Sequence, residues 1–184
     1  MGLLTGGINE VIATTAFNAA PMGIHYREGK YSIILFAGSH TAENIVRDGW
    51  VVANIIHDPV IYVKTAFEDL PKESFTEEPV IQKKMYRLLG AEAWIAFTAT
   101  VQKQTDAILN VELTPEKSIV EDAVVHPVNR GFGNLIDATV HATRFRENRD
   151  PELKKLIDYH AGIVRKCGGR KELAALEMLM NYLE

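Results

Sequence analysis

The sequence contains a single cysteine, Cys167, among its 184 residues. One thiol cannot form a disulfide within the chain, and it cannot supply the several thiolates of a structural zinc or iron–sulfur site. A chain with so little cysteine suits a reducing compartment, so we expect a cytoplasmic location. Cys167 also lies near the end of a predicted helix, where the helix dipole disfavours a thiolate, and this position does not favour a catalytic cysteine.

The sequence also lacks an excess of basic residues and a long apolar run. Its formal net charge is −4, so no sequence-wide positive field is available to attract nucleic acid. The uncharged stretch from Val11 to Tyr26 is interrupted by Asn18, Pro21 and Gly23, and it is too short to span a bilayer. The first residues do not have the basic and apolar segments of a signal peptide. We therefore expect neither nucleic acid nor a membrane as a partner.

The six histidines are scattered along the chain without the paired spacing of a metal-binding helix. Buried and hydrogen-bonded histidines are more common than ligands at such positions, so we predict no metal site. The overall composition, with 47% hydrophobic and 24% charged residues, is typical of an ordinary folded protein. The length suits one sizeable domain, or one domain with an appended helical piece.

The first 127 residues are predicted to be mainly β-structure. Short runs rich in β-branched residues alternate there with turn signals, and the polar segment Arg27–Lys30 between two runs indicates an antiparallel hairpin. His57, Asp58 and Pro59 similarly indicate a turn between two buried strands. The predicted strands are Val11–Thr15, Gly23–Tyr26, Tyr31–Phe36, Trp50–Ile56, Val60–Phe67, Trp94–Lys103 and Ala107–Leu113.

Helical spacing of apolar residues interrupts this β-pattern in two places. A short helix is predicted around Ala42–Val46, ending at Gly49, and a second one at Val80–Leu89. The polar and acidic segment Pro71–Pro79 is predicted to be a loop or lid. These helices make the expected fold class α+β.

After Pro127 the apolar period changes from two to 3.6, which predicts helices to the end of the chain. Asn129 is a candidate cap of the first of these helices. Asp150 and Pro151 together provide a cap and a first-turn proline for the next one. A last helix is predicted at Lys171–Leu183.

The segment after the first predicted strand contains side chains suited to binding a planar ligand. Asn18 can both donate and accept hydrogen bonds, and Pro21 makes the predicted turn rigid. The small side chains of Ala19 and Ala20 allow backbone N–H and C=O groups to approach a ring closely. The alternative interpretation is an ordinary β-turn, because asparagine and proline are common in turns.

The segment from Ser39 to Asn44 combines two hydroxyls, an imidazole and the start of a predicted helix. The free N–H groups and the dipole of a helix start favour an anion, so this segment is suited to binding a phosphate. Glu43 would oppose an anion if its carboxylate pointed inward. The alternative interpretation is simple helix capping, since Ser and Thr are the usual caps.

Together these segments resemble the FMN-binding split barrel of flavin reductase-like proteins. The later motifs Val128–Gly133 and His141–Arg144 are similar to those of an uncharacterised archaeal subgroup of such flavoproteins. The barrel motifs cover about the first third of the chain, and the subgroup likeness covers most of it. The segments that carry the barrel resemblance are Thr14–Thr15, Asn18–Gly23, Ser39–Thr41, Asn44–Ile45 and Gly49–Ile55.

The resemblance implies an antiparallel split β-barrel over residues 1–127 with a helical C-terminal extension over residues 128–184 packed on it. It also implies FMN at a homodimer interface. Arg130 would complete the site, and His40 replaces the Arg or Lys that many flavin reductases have in the phosphate segment, which would make phosphate binding weaker and more pH-dependent. The other residues that the resemblance assigns to the cofactor are Thr14, Asn18, Ala19, Ala20, Pro21, Met22, Ser39, Thr41, Asn44 and Asn54.

By the same resemblance, we expect an FMN-dependent oxidoreductase in which the flavin carries the hydride or electron chemistry. The electron donor could be a reduced nicotinamide or a deazaflavin, the substrate a small molecule, and no catalytic residue is predicted. The alternative is an FMN-binding sensor, carrier or structural dimer without turnover. A further alternative takes the C-terminal helices, instead of the barrel, as the dimerisation element.

Overall fold

The computed structural model describes residues 2–184, which form two compact units. The barrel unit contains the residues up to Ile56 together with Asp69–Val124, and the helical unit contains His57–Glu68 together with Val125–Glu184. Each unit has its own buried apolar core. Within the described residues, no helix is both long and apolar enough to cross a membrane.

The barrel unit contains eight strands and one α-helix. The bounds are β1 Gly7–Thr15, β2 Asn18–Arg27, β3 Lys30–Phe36, α1 His40–Asp48, β4 Trp50–Ile55, β5 Phe75–Val80, β6 Lys83–Leu88, β7 Ala93–Gln104 and β8 Ile108–Val120. Six strands close an antiparallel barrel in the order β1-β2-β3-β8-β7-β4, and β5 and β6 form a separate hairpin. The α+β class and the antiparallel barrel predicted from the sequence are confirmed.

Local side-chain chemistry accounts for the position of α1. The Ser39 hydroxyl accepts a hydrogen bond from the Ala42 N–H at 3.2 Å and so caps the helix start. Gly49 ends the helix with φ at 66°, a left-handed conformation that glycine adopts without steric cost. Ala42 and Ile45 are buried in the barrel core, so the helix packs on the same apolar interior as the strands.

The segment Val80–Leu89, predicted to be helical, is instead part of the β5–β6 hairpin. Ile81 forms the turn with φ at 56°, and in β6 Met85 and Leu88 are buried while Lys83 and Lys84 are exposed. The two buried residues are three positions apart, a spacing that both a helix and a twisted strand can produce. The prediction of a loop over Pro71–Pro79 is wrong for Phe75–Pro79, which lies in β5.

The predicted strand Val60–Phe67 is a helix, α2, with bounds Pro59–Phe67. The Asp58 carboxylate accepts from the N–H groups of Val60 at 2.9 Å and Ile61 at 3.4 Å, and Pro59 occupies the first turn. Asp58 and Pro59 therefore start a helix instead of making a turn between strands. The run after them is almost entirely apolar, so its periodicity could not distinguish the two structures.

The helical unit contains α2 together with α3 Arg130–Asn148, α4 Pro151–Cys167 and α5 Arg170–Asn181. The predicted caps are confirmed: Asn129 Oδ1 accepts from the Gly131 N–H at 2.8 Å, and Asp150 accepts from the Glu152 N–H at 2.9 Å. At Gly131 the helices come so close that an added Cβ would lie 2.5 Å from the Gly168 Cα. The fully buried side chains of this core are Val63, Ala138, Ala142, Ile157, Ala161, Val164, Ala175 and Leu179.

Candidate functional site

The strand β2 has an edge that is open along most of its length. Strand β1 pairs with β2 from Asn18 to Tyr26, but β3 pairs with it only at His25–Arg27. Over the described residues, the backbone groups of Asn18–Ile24 that face away from β1 therefore have no partner strand. The backbone groups of this edge can form hydrogen bonds with a ligand, as they would with a neighbouring strand.

The segment Asn18–Met22 was predicted to be a turn, and it is the first part of β2 instead. The turn consists of Ala16 and Phe17, and Phe17 has φ at 41°. Pro21 is compatible with the strand because proline is tolerated where a strand edge needs no N–H donor. The side chain of Ala19 is buried, while Ala20, Pro21 and Met22 are partly accessible.

The start of α1 provides polar groups next to this edge. Ser39 caps the helix, and the N–H groups of His40 and Thr41 precede the first hydrogen bond of the helix, which the Glu43 N–H donates to the Ser39 carbonyl at 3.0 Å. His40 is exposed, Thr41 is buried, and Glu43 is an exposed acidic residue in the first turn. The helix dipole and these N–H groups create a partial positive charge at this end.

Two amide–hydroxyl hydrogen bonds connect the β1–β2 hairpin to α1. The Asn18 amide donates to Thr41 Oγ1 at 2.9 Å, and the Asn44 amide donates to Thr15 Oγ1 at 2.9 Å. The two segments identified separately in the sequence are therefore brought together within one unit. Since each hydroxyl accepts in these bonds, its proton stays available for donation to another acceptor.

Asn54 and Thr14 lie in the interior and connect three strands. The fully buried Asn54 amide donates to the Ile12 carbonyl at 2.8 Å and to Thr14 Oγ1 at 3.0 Å, and its Oδ1 accepts from the Leu88 N–H at 2.8 Å. Thr14 Oγ1 donates to the Tyr86 carbonyl at 2.6 Å. These side chains hold the β5–β6 hairpin against β1 and β4, so their geometry indicates a supporting role.

Arg130 is the first residue of α3 and belongs to the helical unit. Its neighbours in the Val128–Gly133 motif have structural roles, since Asn129 caps α3 and Gly131 permits the close helix approach. The contribution of Arg130 to a cofactor site stays a prediction.

The β5–β6 hairpin contributes to the site, although the sequence pattern predicted a loop and a helix there. Lys83 Nζ donates to the Asp48 carbonyl at 2.6 Å and so caps the end of α1. A hydrogen bond from Arg47, together with the charges of Arg47 and Lys83, keeps the pKa of the Asp48 carboxyl below its usual value against the effect of burial. The burial pattern of β6 gave no clear signal for this hairpin, because its two buried residues, Met85 and Leu88, are three positions apart.

A cluster of charged residues fixes the same hairpin to β7 and β8. Glu78 pairs with Arg87 at 3.0 Å and with Lys117 at 3.2 Å, and Glu121 accepts from Arg87 at 3.3 Å and from Trp94 Nε1 at 2.8 Å. Burial raises the pKa of Glu78, but hydrogen bonds from Arg87 and Lys117 outweigh it and hold the pKa below its usual value. Glu78 is therefore a carboxylate at neutral pH.

Two depressions in the barrel surface lie near these elements. One of about 270 Å³ lies beside the start of α1, and its lining includes Gly38, Ala42 and the Glu43 side chain. The other, of about 340 Å³, is lined by residues of β3, β7 and β8. Neither is lined by a residue of Asn18–Met22, so the open edge is distinct from both depressions.

Comparison with known proteins identifies relatives that match over nearly the whole chain. Residues 9–122 match the N-terminal domain, and residues 129–181 the second part, of DUF447, described as a protein of unknown function. An FMN-bound protein of this family from Methanosarcina mazei has 34% identity and a TM-score of 0.92, covering 97% of this chain and 96% of its own. An uncharacterised protein from Methanocaldococcus jannaschii is 24% identical over 189 residues, covering 96% of this chain and 98% of the relative.

More distant likeness exists to flavin reductases. The styrene monooxygenase flavin reductase from Pseudomonas putida S12 has 18% identity and a TM-score of 0.44, covering 64% of this chain and 82% of that one. The resemblance to an archaeal subgroup of split-barrel flavoproteins is confirmed by the Methanosarcina structure, which shares both the sequence pattern and the fold. The matches over residues 9–122 and 129–181 show that the chain belongs to the DUF447 family.

Proposed function

We propose that this protein is an FMN-binding flavoprotein whose cofactor lies along the open edge of β2 with its phosphate at the start of α1. The observation that carries the proposal is the pair of hydrogen bonds, Asn18 to Thr41 and Asn44 to Thr15, that fixes the edge next to the helix start. The family member from Methanosarcina mazei is an FMN-bound protein, which supports the same cofactor for this chain.

The donors at the helix start fit the phosphate of FMN. The N–H groups of His40 and Thr41 and the hydroxyls of Ser39 and Thr41 are short-range donors to an anion, and the helix dipole adds to their attraction. The exposed Glu43 carboxylate in the first turn repels a phosphate. His40 cannot supply the permanent charge of an arginine, so the backbone and hydroxyl donors carry most of the binding in this proposal.

The open edge fits the polar rim of a flat heterocycle. Backbone groups of Asn18–Met22 face the open side of the strand, where Pro21 can contribute only its carbonyl, and the small side chains of Ala19 and Ala20 leave room for a ring to approach them. When bound, FMN would supply hydride or single-electron transfer chemistry. The chain would orient the ring and shield one of its faces from water. Thr14 and Asn54 support this role by holding β1, β4 and β6 together behind the edge.

The proposal includes a homodimer formed through the barrel. The strand β3 presents exposed apolar side chains, with Phe36 at 71% and Ile34 at 52% exposure. Large apolar side chains on an outer sheet face are a usual feature of protein interfaces. A second copy would bury this face of β3 and limit the access of water to the open edge of β2. The single cysteine supports the further expectation of a cytoplasmic location.

The proposed activity is an oxidoreductase reaction with a reduced nicotinamide or deazaflavin donor. Mixing FMN-loaded protein with NADH, NADPH or a reduced deazaflavin without oxygen should bleach the flavin absorbance if the protein is an enzyme. If the flavin stays oxidised with each of these donors, the alternative of a flavin-binding sensor, carrier or structural dimer is favoured.

Titration of the apoprotein with FMN tests the binding site directly. The wild type should quench FMN fluorescence. Asn18→Ala should raise the dissociation constant for FMN about tenfold, because it removes the hydrogen bond to α1 and one polar group of the edge. Asn181→Ala, an exposed position at the end of α5, is the matched control and should bind as the wild type does. Absence of quenching by the folded wild type would refute the proposal.

A further inference from the structure

The turn between β1 and β2 carries an exposed aromatic side chain at the end of the open edge. Phe17 is 40% exposed and immediately precedes Asn18. Its ring packs against Tyr86 with a centroid distance of 4.4 Å and edge-on against Phe75 at 5.9 Å. We call Phe17, Phe75 and Tyr86 the aromatic shelf.

The backbone of Phe17 adopts a conformation that does not suit its side chain. Its φ of 41° lies in the left-handed region, where a bulky residue is rare and Gly or Asn would be easier to accommodate. Strained positions of this kind are concentrated at ligand sites, where the side chain compensates for the strain. With this packing Phe17 is still 40% exposed, so part of its side chain is accessible to a ligand.

A lysine lies over the same shelf. Lys72 Nζ is 5.1 Å from the centroid of the Phe17 ring, at the first residue of a short 3-10 helix, Lys72–Ser74. Throughout residues 2–184, no carboxylate lies within ion-pair distance of this ammonium group. The shelf therefore combines a partly open π-surface with a positive charge that a ligand can neutralise.

We propose that the aromatic shelf and Lys72 bind a planar aromatic carboxylate, as the substrate of the proposed flavoprotein. The ring of such a ligand packs against the exposed part of Phe17, and its carboxylate pairs with Lys72. Neutral aromatic compounds form no ion pair with the lysine, and aliphatic acids gain nothing from stacking, so the combination favours this class. The assignment of the ligand as substrate rests on the proposed function, since the shelf is continuous with the open edge through Asn18.

Binding to the full-length apoprotein can be measured by NMR saturation transfer with 2-naphthoate as the probe and 2-naphthamide as its neutral counterpart. The wild type should bind naphthoate more tightly than naphthamide. Phe17→Gly should weaken naphthoate binding about tenfold through lost stacking. Lys72→Gln should weaken it about fivefold and change naphthamide binding less, because only the anion forms an ion pair with the ammonium. Lys103→Gln, an exposed lysine elsewhere in the barrel unit, is the control.

A charge reversal provides a second measurement that does not depend on Phe17→Gly folding well. Lys72→Glu should reverse the preference, so that 2-naphthamidine binds more tightly than 2-naphthoate. Equal naphthoate affinity in the wild type, Phe17→Gly and Lys72→Gln would overturn the inference, as would an unchanged preference in Lys72→Glu.

Titration of the same variants with FMN separates this inference from the proposed function. Unchanged FMN binding in the shelf variants, together with weaker naphthoate binding, supports the inference. If the wild type binds naphthoate through the shelf but fails to bind FMN, the proposed function fails and the carboxylate site stands. If Phe17→Gly loses FMN and keeps naphthoate, the shelf contacts the cofactor and the inference is overturned.

Discussion

At the scale of single residues, Asn54 is the most constrained polar side chain of the barrel unit. Its amide and carbonyl groups are hydrogen-bonded to β1 and β6, and the side chain is fully buried. A buried amide with satisfied donors and acceptor specifies one arrangement of the strands around it, because every alternative leaves a polar group unpaired. Asn54 therefore determines the geometry behind the open edge without having to touch a ligand.

We expect Asn54→Ala to lower the free energy of unfolding by about 2–4 kcal/mol. The substitution leaves the Leu88 N–H without its acceptor and opens a small cavity between strands. Urea denaturation followed by tryptophan fluorescence measures the effect. The exposed Asn181→Ala should change the free energy by less than about 0.5 kcal/mol. A loss of similar size in both variants would contradict this assignment.

The residues that could be identified from sequence are those whose partners are close along the chain. Ser39, Asn129 and Asp150 bond to N–H groups two or three positions away, so their capping roles follow from local patterns. Asn54 bonds to Leu88 across 34 positions, and Asn18 bonds to Thr41 across 23. Such pairings depend on the closure of the barrel, which no local pattern contains.

At the scale of elements, the secondary-structure predictions were wrong where a segment was compatible with two kinds of structure. The Val60–Phe67 run is buried as a helix because Asp58 and Pro59 start one, while the same residue types fit a buried strand. The Asn18–Met22 segment has turn-type residues yet forms a strand, since only one side of it is paired. Pairing in space decided both outcomes, and single-sequence patterns do not record it.

The contact between α3 and α4 provides a matched pair of glycine substitutions. Gly131→Ala should lower the free energy of unfolding by about 2–3 kcal/mol, because the added Cβ would lie 2.5 Å from the Gly168 Cα. Gly133→Ala, two positions along the same helix with no atom within 4 Å of the added Cβ, should raise it by about 0.5–1 kcal/mol. Thermal melting followed by far-UV circular dichroism measures both. Equal behaviour of the two variants would be inconsistent with the close approach.

The interface between α3 and α4 also contains a pair of stacked imidazoles, His141 and His160, with a centroid distance of 5.5 Å. Across the described chain, the buried Nδ1 of His141 is a polar atom without a hydrogen-bond partner. Burial lowers the pKa of His141. The charges of His160 and Arg144 lower this pKa further, and the charge of Asp137 opposes them. The folded protein therefore holds the His141 proton less tightly than the unfolded chain does.

It follows that neutral His141 contributes stability above its ordinary pKa of 6.5, and that this contribution is lost as the pH falls below that value. Melting temperatures from pH 7.5 to 5 should therefore decrease more for the wild type than for His141→Gln, by about 2–4 °C. His25→Gln, in the barrel unit, is the control and should follow the wild type. A parallel decrease in all three proteins would refute this assignment.

At the scale of the whole molecule, the mode of dimerisation can be tested with one substitution in each unit. Phe36→Glu places a charge on the exposed apolar face of β3 and should convert the proposed dimer to a monomer. Leu156→Glu places the same charge on α4 at a position that is 42% exposed, and the dimer should persist. Light scattering coupled to size-exclusion chromatography measures the mass. A monomer produced only by Leu156→Glu would favour the helices as the interface.

The main β-region and the C-terminal helices could be predicted from the sequence. That the helical unit is built from two distant segments of the chain could not. The change of apolar period after Pro127 marks where the last helices begin. The helix α2 has the same apolar content as the strands around it, and its partners lie in α3 and α5. A change in composition along the chain can locate a boundary, whereas a short insertion of similar composition leaves no such mark.

The place of α2 in the chain also bears on how the protein is made. The ribosome releases the apolar helix around Val63 well before it releases α3, α4 and α5. This helix therefore cannot pack against α3, α4 or α5 while strands β5 to β8 are being synthesised. During that interval the nascent chain exposes a surface that chaperones could bind. No single cut in the gene separates the two units, because a fragment that ends before α3 still encodes a helix whose apolar face has lost its neighbours.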